Sequence, residues 1–156
     1  MKKNKNGIVF WLTGFSGAGK SEISKYLHPL IEKKFGRTIK ISGDNLRLLY
    51  NLKGYSKKQR EKIGFFYHDF CKAIVNHNFN ILIDVVCLFH SVRKANRKYL
   101  KNYNEIYIKS DLDQLIKRKK KFFYKKKVKN VWGKDLIPEL PKYPDIIVKN
   151  NFTKTP

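Results

Sequence analysis

Five short apolar runs recur along the chain, each four to seven residues long and rich in β-branched or aromatic side chains. Runs of this length are typical of strands that are buried on both faces, as the strands of a parallel sheet are. The predicted strands are residues 7–13, 38–41, 80–86, 105–109 and 145–148.

Segments with helical periodicity separate these runs. In residues 57–78, apolar side chains recur at the spacing of one helix face. Other helices are predicted over 19–35, where Pro29 would kink or divide the helix, near 90–101, and from Asp111 onward. Strands that alternate with helices predict a parallel sheet covered on both faces. The apolar positions of the 57–78 helix are Ile63, Phe66, Phe70, Ala73 and Ile74.

Length and composition are those of one folded domain. The chain has 156 residues, of which 42% are hydrophobic, and it has no apolar run near the roughly 20 residues that span a bilayer. The opening "MKKNKNGIVFWLTG" superficially imitates a signal peptide, but its apolar run is too short and leads into a glycine loop. Cys71 and Cys87 have no metal-ligand spacing, so we expect reduced thiols and a cytoplasmic protein.

The formal net charge is +23, from 35 Lys and Arg against 12 Asp and Glu. Such a charge attracts nucleic acid, anionic membrane and small anions alike. The positive residues are spread over the whole chain and Lys far outnumbers Arg, which indicates a compositional bias. We therefore expect neither a specific nucleic-acid partner nor a membrane partner. The dense run "KRKKKFFYKKKVK", residues 117–129, needs its own explanation.

The segment "GFSGAGKS", Gly14 to Ser21, matches G-x-x-x-x-G-K-[ST] between a predicted strand and a predicted helix. Glycines let consecutive backbone N–H groups surround a phosphate at a helix N-terminus. Lys20 can reach the β and γ phosphates, and the Ser21 hydroxyl can ligate Mg²⁺. A glycine turn that merely caps a helix is the alternative, and pattern and context together disfavour it. The sequence predicts a P-loop fold that binds a nucleoside triphosphate.

Asp44 follows the second predicted strand, in "SGDNLR". Small kinases place their acceptor at this position, where a carboxylate faces the γ phosphate. The guanine-reading N-K-x-D of GTPases is absent from the sequence, which favours a small-molecule kinase. The alternative for Asp44 is a helix N-cap, a role that is compatible with catalysis.

Together these motifs resemble the adenylylsulfate kinase family, whose members use MgATP to phosphorylate the 3′-hydroxyl of adenosine 5′-phosphosulfate. The resemblance covers nearly the whole chain. It rests on "WLTGFSGAGKS", "GDNLR", the following "GYS", "NRKYLKNYNEIYIKSDLDQLIKR", the Phe-Tyr-Lys-Lys run and "PKYPDIIVKN". The phosphate loop alone is generic, whereas its combination with Gly-Asp-Asn-x-x-Arg is specific.

The resemblance implies roles for individual residues. Asp44 would orient or deprotonate the acceptor hydroxyl, and Arg47 and Arg60 would hold the anionic tail of the acceptor. A basic lid at about 118–135 would close over both substrates, although a solvated basic face is the alternative for any of its lysines. Phe122, Phe123 and Tyr124 could stack on a base or lie in the core. The predicted catalytic residues are Asp44 and Lys20, and the predicted Mg²⁺ ligands are Ser21, Asp44 and Asp84. The predicted ATP-binding residues are Gly14, Phe15, Ser16, Gly17, Ala18, Gly19, Lys20, Ser21 and Arg118. The predicted acceptor-binding residues are Asp44, Asn45, Arg47, Arg60, Cys87, Leu88, Phe89, Lys121, Phe123 and Tyr124.

The chain departs from the family pattern on the acceptor side. Ser42 replaces the first Asp of Asp-Gly-Asp-Asn, Lys119 replaces the Asp that follows Arg118, and Val86-Cys87-Leu88 replaces Ile-Ser-Pro. The stretch after "GYS" is also shorter. Asp84 adds a carboxylate where the family is apolar. Since a buried unpaired carboxylate is costly, we expect it to face the phosphate site as a ligand of Mg²⁺ or water, or as a partner of Lys20.

These departures resemble a divergent branch of the family found with surface-polysaccharide genes. One kinase of that branch phosphorylates the 3′-hydroxyl of cytidine diphosphoramidate for capsule modification. The family signature ranks adenosine 5′-phosphosulfate first and the cytidine acceptor second; both carry a 5′ mixed anhydride. A phosphate-loop domain that binds nucleotide or nucleic acid without transfer is the alternative of another class. The resemblance leaves a homodimer open.

Overall fold

The computed structural model describes residues 6–118 and 128–152. The predicted five-stranded sheet is confirmed: all its strand pairs are parallel, in the order β2-β3-β1-β4-β5. Each strand ends within two residues of its predicted boundary. The strands are β1 (Val9–Thr13), β2 (Thr38–Ser42), β3 (Asn80–Val85), β4 (Tyr103–Lys109) and β5 (Ile146–Lys149).

Helices connect the strands and complete an α/β fold. The predicted division at Pro29 is wrong, because α1 runs unbroken through it. Pro29 lies on the exposed side of α1, where water can satisfy the carbonyl that the proline ring leaves without a partner. The described helices are α1 (Lys20–Phe35), α2 (Gly43–Leu49), α3 (Lys57–Asn76), α4 (His90–Tyr99) and α5 (Leu112–Arg118).

The most buried face of helix α3 is rotated from the stripe of its large apolar residues, although Ile63 is buried and Ile74 packs against the core. Ala73 is exposed, so its predicted place in the core is wrong. Phe66 and Phe70 are half-buried and pack against the ring of Tyr50. Polar residues share the buried face because they find hydrogen-bond partners there, which apolar periodicity does not reveal. The buried residues are Ile63, Gly64, Tyr67, His68, Cys71 and Val75.

The centre of the sheet carries the core and fixes where the site forms. Every residue of β1 and β3 is buried. The register pairs Leu12 with Asp84 and Ser42 with Asp84 across adjacent strands. The carboxyl ends of β1, β2 and β3 therefore meet at one edge, and ligands of open parallel sheets bind beyond that edge.

Candidate active site

The phosphate loop joins β1 to α1 and wraps around the Lys20 side chain. Lys20 is buried, and its Nζ donates to the carbonyl oxygens of Phe15, at 2.8 Å, and Gly14, at 3.1 Å. Gly14 has a φ of 149°, and a Cβ there would lie 2.5 Å from the carbonyl oxygen of Ile108. Such a conformation and approach suit only glycine. The loop is therefore held closed around an ammonium group that two carbonyls orient.

A side chain from beyond β5 supports the same loop. Asn150 donates from Nδ2 to the Ala18 carbonyl at 2.9 Å, and its backbone N–H donates to Lys109. Phe15 and Ala18 are themselves buried in the core. Their predicted part in ATP binding is therefore confined to their backbone groups.

Asp84 lies near the end of β3, directly beneath the start of α1. Its Oδ1 accepts from the Ser21 hydroxyl at 3.0 Å and its Oδ2 from the Ser24 hydroxyl at 3.1 Å. The side chain is 7% exposed, yet it lines the cavity described below. Both oxygens are satisfied, which explains how a carboxylate is tolerated here. The expectation that Asp84 faces the phosphate site agrees with this position.

Helix α2 directly follows β2 and carries Asp44 and Arg47. Ser42 is the N-cap, since its hydroxyl accepts from the Asn45 backbone N–H at 3.1 Å. The alternative that Asp44 serves as the cap is thus wrong; Asp44 lies exposed in the first turn. Asn45 bonds back to Ser42 and does not line the cavity. The cap leaves the Asp44 carboxylate available to a ligand.

Two arginines flank the ring of Tyr55. The guanidinium carbons of Arg47 and Arg60 each lie 5.1 Å from its centroid. Arg47 donates to the carbonyls of Leu52 and Gly54, whereas Arg60 donates to that of Asn130 at 2.8 Å. Burial, and next the charge of Arg47, lower the pKa of Arg60. A guanidinium remains charged despite such a shift, so two oriented positive groups stand side by side.

One cavity of about 670 Å³ connects these groups. This volume is typical of a small-molecule site. The phosphate loop forms one wall and α2 with α3 forms the other, while residues 128–132 close a further side. Its predicted site residues are Ser16, Gly17, Gly19, Lys20, Ser21, Asp44, Arg47, Arg60 and Asp84.

Other predicted site residues lie elsewhere. Cys87, Leu88 and Phe89 are at most 1% exposed and belong to the core, so their predicted contact with an acceptor has no support in this geometry. Burial also raises the pKa of the Cys87 thiol to about 12. Arg118 is exposed and stacks on the ring of Phe152 at 4.0 Å. Lys121, Phe123 and Tyr124 lie outside the described residues.

The cavity also contains residues that were absent from the predicted site. Tyr55 could have been predicted from the sequence, because it is the aromatic residue of the quoted "GYS". Tyr67 lies beside the predicted apolar stripe of α3, and the stripe did not include it. Residues 128–132 fall in the predicted lid and carry no motif; Val131 and Trp132 there are buried. The missed lining residues are Glu22, Gly43, Tyr55, Tyr67, Val85, Val86, Val128, Lys129, Asn130, Val131 and Trp132.

The family profile described as adenylylsulphate kinase matches residues 6–149. The chain belongs to the adenylylsulphate kinase family. Among relatives, it is 31% identical to a cytidine diphosphoramidate kinase of Campylobacter jejuni over 94% of this chain and 88% of that protein. It is 32% identical to an adenylyl-sulfate kinase of Clostridium kluyveri over 95% of this chain and 77% of that protein.

A solved structure shows the same fold. The adenylylsulfate kinase of Mycobacterium tuberculosis, determined in complex with AMPPNP and APS, superposes with a TM-score of 0.79 at 23% identity, over 92% of this chain and 88% of that one. Family membership makes the chain a nucleotide-binding phosphotransferase, and the alternative of a domain without transfer activity loses its support. No helix within residues 6–118 and 128–152 could span a membrane.

Proposed function

We propose that the protein transfers the γ-phosphoryl group of ATP to the 3′-hydroxyl of a nucleotide that carries a 5′ mixed anhydride. The observation that carries this proposal is the shared cavity, in which Lys20 and Ser21 face Asp44, Arg47 and Arg60. A phosphate-binding wall opposite a carboxylate and two arginines suits a reaction between a triphosphate and an anionic alcohol.

Asp44 supplies the proton acceptor of the proposed reaction. The acceptor hydroxyl oxygen attacks the γ phosphorus, the bond from that phosphorus to the β–γ bridging oxygen breaks, and ADP leaves. The hydroxyl proton passes to the Asp44 carboxylate. A ribose hydroxyl is a poor nucleophile, so a carboxylate within hydrogen-bond reach both aims it and receives its proton.

Lys20 stabilises the charge that develops on the phosphates. The Phe15 and Gly14 carbonyls hold its ammonium group in place before the substrate binds. A preorganised cation in a buried site stabilises a transition state more than a mobile one does, because nothing needs to reorient during the reaction.

Arg47 and Arg60 bind the acceptor's anionic tail in this proposal. A guanidinium has five N–H donors, and each arginine makes two described bonds to carbonyls. The remaining donors suit phosphate, sulfate or phosphoramidate oxygens.

The residues around Ser21 fit a magnesium ion. The Ser21 hydroxyl and the Asp84 carboxylate lie 3.0 Å apart and provide the oxygen donors that Mg²⁺ prefers. Within the described part of the chain, no group of three or more His, Cys, Asp or Glu could hold a metal by itself. That suits an ion bound by one or two protein oxygens and the substrate phosphates. When bound, the ion would neutralise negative charge on the phosphates of ATP.

Between the two acceptors we now rank cytidine diphosphoramidate first and adenosine 5′-phosphosulfate second, the reverse of the order that the family signature gives. The chain is similar to the Campylobacter cytidine diphosphoramidate kinase over 94% of its length, and Ser42 stands where the family signature has the first Asp of Asp-Gly-Asp-Asn. A relative with the cytidine acceptor and a departure on the acceptor side together support the cytidine nucleotide as the first candidate.

The deciding experiment incubates the protein with MgATP and either acceptor and measures the product by mass. We expect a product heavier by one phosphoryl group, with higher kcat/KM for the cytidine acceptor. Higher kcat/KM for adenosine 5′-phosphosulfate would restore the original ranking. ADP release that neither nucleotide stimulates would refute the proposed reaction.

A further inference from the structure

Tyr67 is a buried tyrosine of α3 that lines the acceptor side of the cavity. Its hydroxyl donates to the Gly43 carbonyl oxygen at 3.1 Å. Gly43 directly precedes Asp44, so this carbonyl belongs to the peptide group that links the two residues. The tyrosine therefore bonds to the backbone that carries the proposed base.

Close packing around Gly43 holds its carbonyl in place next to the Tyr67 hydroxyl. A Cβ at Gly43 would lie 3.0 Å from Val85 Cγ1 and 3.1 Å from the Tyr67 hydroxyl. The first residue of α2 is thus enclosed between β3 and α3. Leu46 is the other buried residue of this seven-residue helix, so α2 has few anchors and the bond from Tyr67 is one of them.

The same hydroxyl interacts with Arg47. Burial raises the pKa of Tyr67 to about 12, although the charge of Arg47 and a hydrogen bond from it act in the opposite direction. The hydroxyl therefore keeps its proton at neutral pH and is a constant donor to Gly43, while its oxygen accepts from Arg47. The Tyr67 hydroxyl oxygen therefore links the backbone before Asp44 to the Arg47 guanidinium, which lies one helical turn later.

We propose that Tyr67 is a positioning residue that fixes the Asp44 carboxylate and the Arg47 guanidinium relative to the phosphate loop. This inference rests on the proposed function, in which Asp44 receives the proton. Phosphoryl transfer requires the acceptor oxygen and the γ phosphorus to be aligned, and a displacement of about 1 Å can cost about 10²-fold in rate. A tyrosine that only fills the core would affect stability and leave the chemistry unchanged.

Tyr67→Phe tests this role, because it keeps the ring and removes the hydroxyl. We expect kcat to fall about fivefold to tenfold, the size of one net hydrogen bond, while the KM for ATP stays within twofold. Tyr107→Phe is the matched control, since Tyr107 is a buried tyrosine of β4 that does not line the cavity. Unchanged kcat in Tyr67→Phe would overturn the proposal, whatever happens to the Tm.

A double-mutant cycle with Asp44→Asn sharpens the test. If Tyr67 acts through Asp44, removing its hydroxyl from a protein that already lacks the base should reduce kcat by less than twofold. A full additional loss in the double variant would show that Tyr67 acts independently of Asp44, and the proposal would fail.

Deuterium uptake separates this inference from the proposed function. In the substrate-free protein, Tyr67→Phe should accelerate amide exchange across residues 43–50, and Tyr107→Phe should not. If the wild type phosphorylates neither acceptor, the proposed function fails, yet faster exchange would still support the anchoring of α2 by Tyr67. Unchanged exchange would refute that anchoring.

Discussion

The two walls of the cavity are built in different ways. The phosphate wall is local: Lys20 and Ser21 are the first two residues of α1, directly after the glycine loop, and hydrogen bonds to Phe15 and Asp84 hold their side chains. The acceptor wall is assembled from α2, α3 and residues 128–132, and it is held by arginine contacts with carbonyls and with Tyr55. The first wall suits a cosubstrate shared by many kinases, whereas the second can change with the acceptor.

Lys20→Ala should have one of the two largest effects, because it removes the buried cation of the phosphate wall. We expect transfer to fall by about 10³-fold, at the upper end of the cost of losing one preorganised electrostatic group. Initial rates with saturating ATP check this. Lys33→Ala, at an exposed position of the same helix, should keep full activity. Undiminished turnover in Lys20→Ala would defeat the assignment of this wall to ATP.

Asp44→Asn should lower kcat by about 10² to 10⁴, the usual range for a positioned base. The substitution keeps the Ser42 cap and removes the charge that receives the proton. Single-turnover rates measure the chemical step directly, and Asp69→Asn on the exposed side of α3 is the control. A loss confined to the acceptor KM would reduce Asp44 to a binding residue.

Arg47→Ala should instead raise the acceptor KM by about 10- to 100-fold, the cost of a charged hydrogen bond. The KM for ATP should stay nearly constant, because the phosphate wall is untouched. Steady-state kinetics with each substrate varied in turn test this, with the exposed Arg37→Ala as control. If both KM values rise together, the two walls are not independent.

Asp84→Asn should raise the Mg²⁺ concentration needed for half-maximal activity by about tenfold or more, as expected when a partner of a metal ligand is altered. Ser24→Ala is the matched control, because it removes the other hydrogen bond of the same carboxylate and leaves Ser21 in place. An unchanged Mg²⁺ titration combined with a lower Tm would make Asp84 an anchor of α1 alone.

The smallest effect concerns Asp135, which supports the acceptor wall at residues 130–131. Its carboxylate accepts from the Val131 backbone N–H at 2.6 Å and from that of Asn130. These bonds lower its pKa below the ordinary 3.8. The stabilisation is therefore present above pH 4 and is lost as the pH falls through the lowered pKa. The difference in Tm between the wild type and Asp135→Asn should shrink as the pH falls from 6 to 3; a constant difference would contradict this.

The sequence by itself determined the sheet and the phosphate wall. Short apolar runs predict buried strands because the strands of a parallel sheet are covered on both faces. The loop at Gly14 to Ser21 is equally local, since its glycines, lysine and serine act within eight consecutive residues. Asp44 and Arg47 could also be predicted from the sequence, because they lie one helical turn apart in a short motif.

Tertiary structure decided the rest. Tyr67 reaches Gly43 across 24 residues, and Arg60 reaches Asn130 across 70; no local pattern encodes such contacts. Phe89 was predicted to contact the acceptor, yet it packs on Trp132 in the core, because burial depends on which segments meet there. Sequence periodicity reports which side chains avoid water, whereas the acceptor wall depends on which distant polar groups find one another.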